Sequence, residues 1–221
     1  MSNAIDVLAA STPDTVEPCL QRRAAATRAR ILAEAAKAFD ARGYRAASIN
    51  DVIVSGGFTK GGLFHHFPSK QSIAQHLVEC WSLAVEGSFA DAAATGGGAT
   101  EQLREVFLDL ARKVDGDVRL RAGMKLTLDS AVDGGHQAYR EWVDLTSDLV
   151  GQGIAAAVIG DDVRTRRFAW NLCAGFVGAV NVFTVLCEAV DLPTRVDDVV
   201  ISYLESCIPA APCSPLPVER R

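Results

Sequence analysis

The stretch Ser48–Lys70 (SINDVIVSGGFTKGGLFHHFPSK) holds three helix-starting hydroxyls and two stop signals in close succession. Ser48 can cap the amide of Asp51, and the Asp51 carboxylate favours the positive first turn of the helix that follows. Ile49, Val52 and Ile53 give that helix one apolar face, and Gly56-Gly57 stops it after about two turns. Thr59 starts a second short helix, with Leu63 and Phe67 facing inward, and Pro68 ends it. Ser69 then caps a longer helix beginning at Lys70. Helix, Gly-Gly-Phe turn, helix is the length and turn chemistry of a helix-turn-helix, whose second helix enters a DNA major groove N-terminus first. The paired glycines Gly61-Gly62 are poor helix formers, but they let a backbone approach another molecule closely.

The preceding segment supports this unit. Ile31, Leu32, Ala35, Ala36 and Phe39 recur at helical spacing, Gly43 stands where a helix-ending glycine belongs, and Tyr44 can fold back on the helix just finished. Residues 21–70 carry nine basic side chains against three acidic ones, a net +6, which leaves −11 for the rest of a chain whose total is −5. A basic module on an acidic body suits a polyanionic partner, with the body resisting non-specific contact.

The remaining sequence predicts more helices. Amphipathic runs lie at Glu101–Val114, Arg119–Leu128, Tyr139–Ile159, Asp162–Val190 and Val196–Cys207, punctuated by Gly116, Gly134-Gly135, Gly160-Asp161 and Pro193. Ala90–Thr100, with its triple glycine, is expected to be a loop, since no phosphate-loop lysine follows it. No alternating strand pattern occurs. The fold class expected is all-α: an arm over 1–20, a helix-turn-helix domain over 21–70, a helical ligand-binding and dimerisation domain over 71–208, and a Pro-rich tail over 209–221. Leu172–Val190 is the most apolar run, interrupted by Asn181 and Glu188, and no membrane span is expected. The N-terminus lacks the basic region of a secretory signal, which predicts a cytosolic protein. The six cysteines show no metal-ligand spacing and are expected to be reduced thiols. No catalytic motif, cofactor motif or metal site emerges, so an enzyme is the weaker alternative.

Three motifs together carry a resemblance: R-A-x-I-L-x-x-A from Arg28, G-Y-x-x-x-S-I-x-D-V from Gly43, and T-K-G-x-L-F-x-H-F-P-S-K from Thr59. They closely resemble the N-terminal domain of TetR-family transcriptional regulators. With T-R-A-R-I-L from Thr27 and L-R-A-G-M-K-L from Leu120, the chain is similar to the γ-butyrolactone autoregulator receptors of that family. The resemblance implies a homodimer that binds a palindromic double-stranded operator and is released by a small signalling lactone controlling antibiotic genes. A regulator sensing another small molecule, such as a butenolide, furan, antibiotic, drug or fatty acyl ligand, is the alternative. Thr59, Lys60, Gly61, His66 and Lys70 fall on the family's DNA-contacting positions. Arg28, Ser48, Gly62, Phe64 and His65 complete the candidate DNA set. The family usually has tyrosine at position 64, whose hydroxyl reaches a phosphate. Phe64 cannot do this, and His65 is the candidate replacement. Trp142, in YREWVDLTSDLV, matches a pocket tryptophan of the receptor branch. Met124, Leu126, Asn171 and Phe176 are the further expected ligand contacts. One side of the 162–190 helix is expected to line the cavity, and the other to pair with the same helix of a second subunit.

Overall fold

The computed structural model describes residues 16–186 and 189–207, with side chains from residue 21 onward. The described residues form nine α-helices and a single 3-10 turn, with no strand. They are α1 (Val16–Ala46), α2 (Ile49–Gly56), α3 (Lys60–His66), α4 (Lys70–Ala94), α5 (Ala99–Gly116), α6 (Val118–Leu126), α7 (Gly135–Ala155), α8 (Phe168–Leu186) and α9 (Leu192–Cys207). The all-α expectation holds. Helix α1 starts inside the expected arm. Pro18 falls in its first turn, where no amide has an intrahelical acceptor. The rest of that arm and the Pro-rich tail lie outside the described residues.

Several boundaries differ from expectation for local reasons. The 90–100 loop shrinks to four residues because α4 runs on through alanines to Ala94, and Glu101 caps Gly98 N–H (3.0 Å) at the start of α5. Helix α7 starts early, at Gly135, behind Gly134 with φ 82°. It stops at Ala155, and Ile159 turns back against Gly153, whose missing Cβ makes the room. Helix α9 begins four residues before expectation because Asp191 accepts from Thr194 N–H (2.8 Å), with Pro193 tolerated in the first turn. Thr165–Leu186 is, by length and a mean hydropathy of 1.6, apolar enough to cross a bilayer, which amends the expectation of no such run. One face of it (Phe168, Leu172, Cys173, Phe176, Val180) is buried in the core of this chain.

Two apolar cores result. Ile31, Leu32, Phe39, Val52, Leu63, Phe67, Ile73 and Leu77 fill the one beneath the helix-turn-helix. Trp81, Phe107, Leu110, Trp142, Leu172, Phe176 and Val196 belong to the other. Helix α4 supplies both, so no single position separates them. In α5 the buried set Leu103, Val106, Phe107, Leu110, Ala111 and Val114 follows the helical repeat, giving the amphipathic stripe its sequence predicted. A forked Arg104–Asp197 pair (2.6 and 2.7 Å) ties α5 to α9 at the surface.

Helix α6 bridges the two cores. Ala122 and Leu126 pack into the first and Met124 into the second. At Gly123 a Cβ would overlap the Leu77 carbonyl oxygen and stand 3.0 Å from Trp81 Cβ, so only glycine lets α6 lie this close to α4. Gly123→Ala should therefore lower stability by about 1–3 kcal/mol. Urea melts of Gly123→Ala and of Gly61→Ala, where a Cβ meets nothing, should show the loss only in the former.

Candidate nucleic-acid interface and ligand core

The turn between α2 and α3 is built from its glycines outward. Gly57 is left-handed (φ 64°, ψ 32°) and closes α2, with Phe58 N–H returning to Ile53 C=O at 3.0 Å. The Phe58 ring lies where a Gly56 Cβ would be, so both glycines are required. Two arginines of α1 then hold the exposed ends of both helices. Arg30 donates to Gly56 C=O (3.1 Å) with its guanidinium 5.3 Å from the Phe58 ring centre. Arg28 donates to His66 C=O (3.1 Å) and sits 4.2 Å over Phe67. A cation at the negative end of a helix is favourable, and these guanidiniums also fix how α2 and α3 sit on α1. Arg28 is thus a positioning residue for α3 in addition to a candidate phosphate contact.

Helix α3 keeps Leu63 and Phe67 buried, as expected, and turns Lys60, Gly61, Gly62, Phe64 and His65 outward. Among the described residues nothing takes up the Lys60 ammonium. A Cβ at Gly61 would meet open space, consistent with close approach by an outside molecule. Gly62 has an internal reason as well. Thr59 Oγ1 accepts from Gly62 N–H at 3.0 Å, and a Cβ at Gly62 would come 2.9 Å from that oxygen. His65 and His66 meet edge to face, 5.4 Å between centres, with His66 the less exposed. Lys70 is drawn inward over the Tyr44 ring (4.3 Å), its ammonium 3.4 Å from Arg45 C=O, and burial lowers its pKa. Tyr44 folds back on Phe39 (5.7 Å) as expected and donates to Gln71 Oε1 (2.7 Å).

One detail at the start of α2 needs correcting. The half-buried Ser48 Oγ accepts from Asn50 N–H (3.1 Å), not from Asp51, whose amide bonds to Ser48 C=O. The Asp51 carboxylate pairs with Arg42 at 2.6 Å. Each acidic residue in 21–70 is paired with a cation: Glu34 with Lys37, Asp51 with Arg42, and Asp40 with two cations of α6.

In the second core, rings from four helices meet. Trp142 lies 5.3 Å from Trp81, 5.5 Å from Phe176, 5.7 Å from Tyr139 and 5.8 Å from Phe107, mostly edge to face. Met124 is fully buried in the same core. The expected group therefore converges in part: Trp142, Met124 and Phe176 come together. Leu126 does not. It faces the helix-turn-helix core, because residues two apart on a helix point about 200° from one another. Asn171 does not either. It lines a separate cleft of about 300 Å³ with Arg167, Phe168 and Tyr203, on the opposite flank of α8 from Phe176. Sequence reasoning missed Trp81, Phe107 and Tyr139. The signal for Trp81 was its helical spacing with Leu77 and Val85. Burial holds the Tyr139 phenol up at about 12 and the Cys173 thiol up at about 12, so both stay protonated and the thiol is unreactive.

Helix α6 joins the two sites through charge as well as packing. Lys125 Nζ is 2.7 Å from Asp40 Oδ1, Arg121 Nε is 3.1 Å from Asp40 Oδ2, and Arg121 also donates to Val114 C=O at 2.8 Å. All three side chains are about four-fifths buried, so solvent screens this clamp less than a surface pair. The last full turn of α1 before Gly43 is thereby fixed to α6.

The Thr59 cap makes one substitution diagnostic. Gly62→Ala gains about 1 kcal/mol of helix propensity but displaces the cap, itself worth about 1 kcal/mol. Denaturation should show almost no change in the natural background and a gain of about 1 kcal/mol when Thr59 is already alanine.

Residues 31–77, which span α2, α3 and the ends of their neighbours, match the family described as bacterial regulatory proteins, tetR family. The A-factor receptor protein of Streptomyces griseus is 28% identical over 158 residues, 72% of this chain and 55% of that protein, so the chain spans little more than half of this relative. The solved structure of the TetR family protein CprB from S. coelicolor A3(2) is 25% identical, with a TM-score of 0.75 over 86% of this chain and 92% of that one. A γ-butyrolactone receptor (ArpA-like protein), 24% identical over 83% of this chain and 99% of that one, shares the fold with a TM-score of 0.66. These relatives are regulators, not enzymes. The helix-turn-helix, the helical body and these likenesses make the chain similar to TetR-family transcriptional regulators, with its resemblance running to the γ-butyrolactone receptor branch.

Proposed function

We propose that the protein is a repressor that binds a palindromic operator as a homodimer and is released by a small apolar signalling molecule of the γ-butyrolactone type, controlling antibiotic genes. The observation that carries this reading is the double membership of α6, with Met124 in the aromatic core and Leu126 beneath the helix-turn-helix. A ligand that displaces the rings around Trp142 has to move α6, and α6 is clamped to α1 through Asp40. It acts by preferring the displaced arrangement, and operator affinity falls by the ratio of its affinities for the two states.

On the DNA side, Lys60 meets phosphate and the exposed Thr59–Gly62 turn enters the major groove, with Ser48, His66 and Lys70 alongside. Phe64 offers a ring without a hydroxyl, and His65 supplies the phosphate contact in its place. Two copies reading one turn of DNA apart call for a twofold axis. Helix α8 supports this with an outward stripe, Trp170, Ala174, Gly178, Asn181 and Val185, spaced at helical repeats. Trp170 is 60% exposed and Val185 76%, and a Cβ at Gly178 would meet nothing within 4 Å among the described residues. A stripe that is apolar but for Asn181, with a glycine at its centre, suits close approach of the same helix from a second copy.

Gel shifts with DNA selected by the protein from a random pool test both halves. Lys60→Ala should weaken binding across sequences and reduce the slope of log affinity against log salt by about one phosphate contact. His65→Ala should reduce that slope too, and an unchanged slope and affinity would remove the histidine from the interface. Trp142→Ala should still bind DNA but resist release by a γ-butyrolactone, and normal release would take Trp142 out of the ligand site.

A further inference from the structure

The aromatic core contains two polar groups that its packing leaves unanswered. Trp81 and Trp142 are 0% and 1% exposed, and neither indole N–H has a hydrogen-bond partner among the described residues. An indole nitrogen is a donor only, so a buried one calls for an acceptor. The neighbours offer rings, a thioether and one phenol oxygen that neither indole reaches: Phe107, Phe176, Met124 and Tyr139. Thr146 Oγ1, on α7, donates to Trp142 C=O at 2.9 Å and lies 3.5 Å from Cys173 Sγ, and it takes up neither indole N–H. The two indoles stand edge to face at 87°. Within that pair, one N–H at most can rest on its partner's ring face, and such a contact is a weak substitute for an oxygen.

We infer that Trp81 is a second hydrogen-bond donor of the ligand core, so that the effector presents two acceptor oxygens, one to each tryptophan, on an otherwise apolar body. This rests on the reading of the core as a lactone-type effector site. An α-acyl-γ-butyrolactone has that chemistry, with one carbonyl in the ring and one on the side chain, whereas an α-alkyl-γ-butyrolactone has lost the second. Both indoles project from helices that also wall an outer groove of about 620 Å³, lined by Val78, Ser82, Leu83, Gln137, Ala138 and Glu141. The position of Trp81 also gives its contact a direct mechanical consequence. It sits on α4, the helix that begins at the Ser69 cap beside α3, and its Cβ faces the α6 backbone at Gly123. A ligand held by Trp81 therefore acts on α4 and α6 at the point where the two helices touch.

The test compares an α-acyl- and an α-alkyl-γ-butyrolactone of equal chain length by calorimetry on the full chain. The natural protein should bind the acyl compound about tenfold tighter, the worth of one well-made hydrogen bond. Trp81→Phe keeps a ring and removes the N–H. It should bind both lactones alike, with helical content unchanged. If Trp81→Phe keeps the natural preference, Trp81 is not a donor, and the lactone reading stands without it. If the natural protein binds both compounds equally, the second donor is overturned whether or not the variant folds. If it binds neither, the inference and the reading beneath it both fall.

Discussion

The close contact of α6 with α4 at Gly123 is the constraint on which the rest of the structure depends. Without a side chain there, the α6 backbone reaches the Leu77 carbonyl, and the short helix can place alternate residues in two different cores. A larger residue would hold α6 away, and Met124 and Leu126 could not both be seated. The Asp40 clamp then adds direction to this contact. Two cations on one face of α6, four residues apart, grip a single carboxylate at the end of α1. Losing that carboxylate would leave two largely buried cations facing each other, so α1 and α6 are held to move as one body.

That linkage explains how a chain with an exposed basic α3 and a buried aromatic core can behave as a switch. Packed rings do not deform gradually. They occupy one arrangement or another, and on the proposed reading a ligand selects between them. Arg28 and Arg30 lock the ends of α3 and α2 onto α1, so a shift of α1 carries the whole helix-turn-helix with it.

Much of the DNA module was legible in the sequence because its signals are local. Ser48, Thr59 and Ser69 cap the helices that follow them, Gly57 takes the left-handed turn, and Leu63 and Phe67 face inward. The errors there were also local: Ser48 caps Asn50 rather than Asp51, and alanine-rich 90–94 continues α4 into what was expected to be a loop. The candidate ligand core was only half legible. Periodicity places Trp142 and Phe176 on buried faces, but it cannot say which of two cores a face meets. That is how Leu126 and Asn171 came to be grouped with them. Trp81 was hidden for the same reason, as one apolar residue among several on α4. The Asp40–Arg121 pair spans 81 residues and has no local signature at all. Arg28 and Arg30 counted as charge for a polyanion, while their capping of α2 and α3 depends on tertiary contact.

The central claim is that the ligand core and the DNA module share one equilibrium through α6. It is tested most directly by measuring the affinity of an effector lactone for the free protein and for the protein saturated with its selected DNA. Coupling through a shared equilibrium is reciprocal. The DNA-bound protein should bind the lactone more weakly by the same factor by which the lactone weakens DNA binding. Equal lactone affinity in the two states would contradict the claim, because the two sites would then be independent.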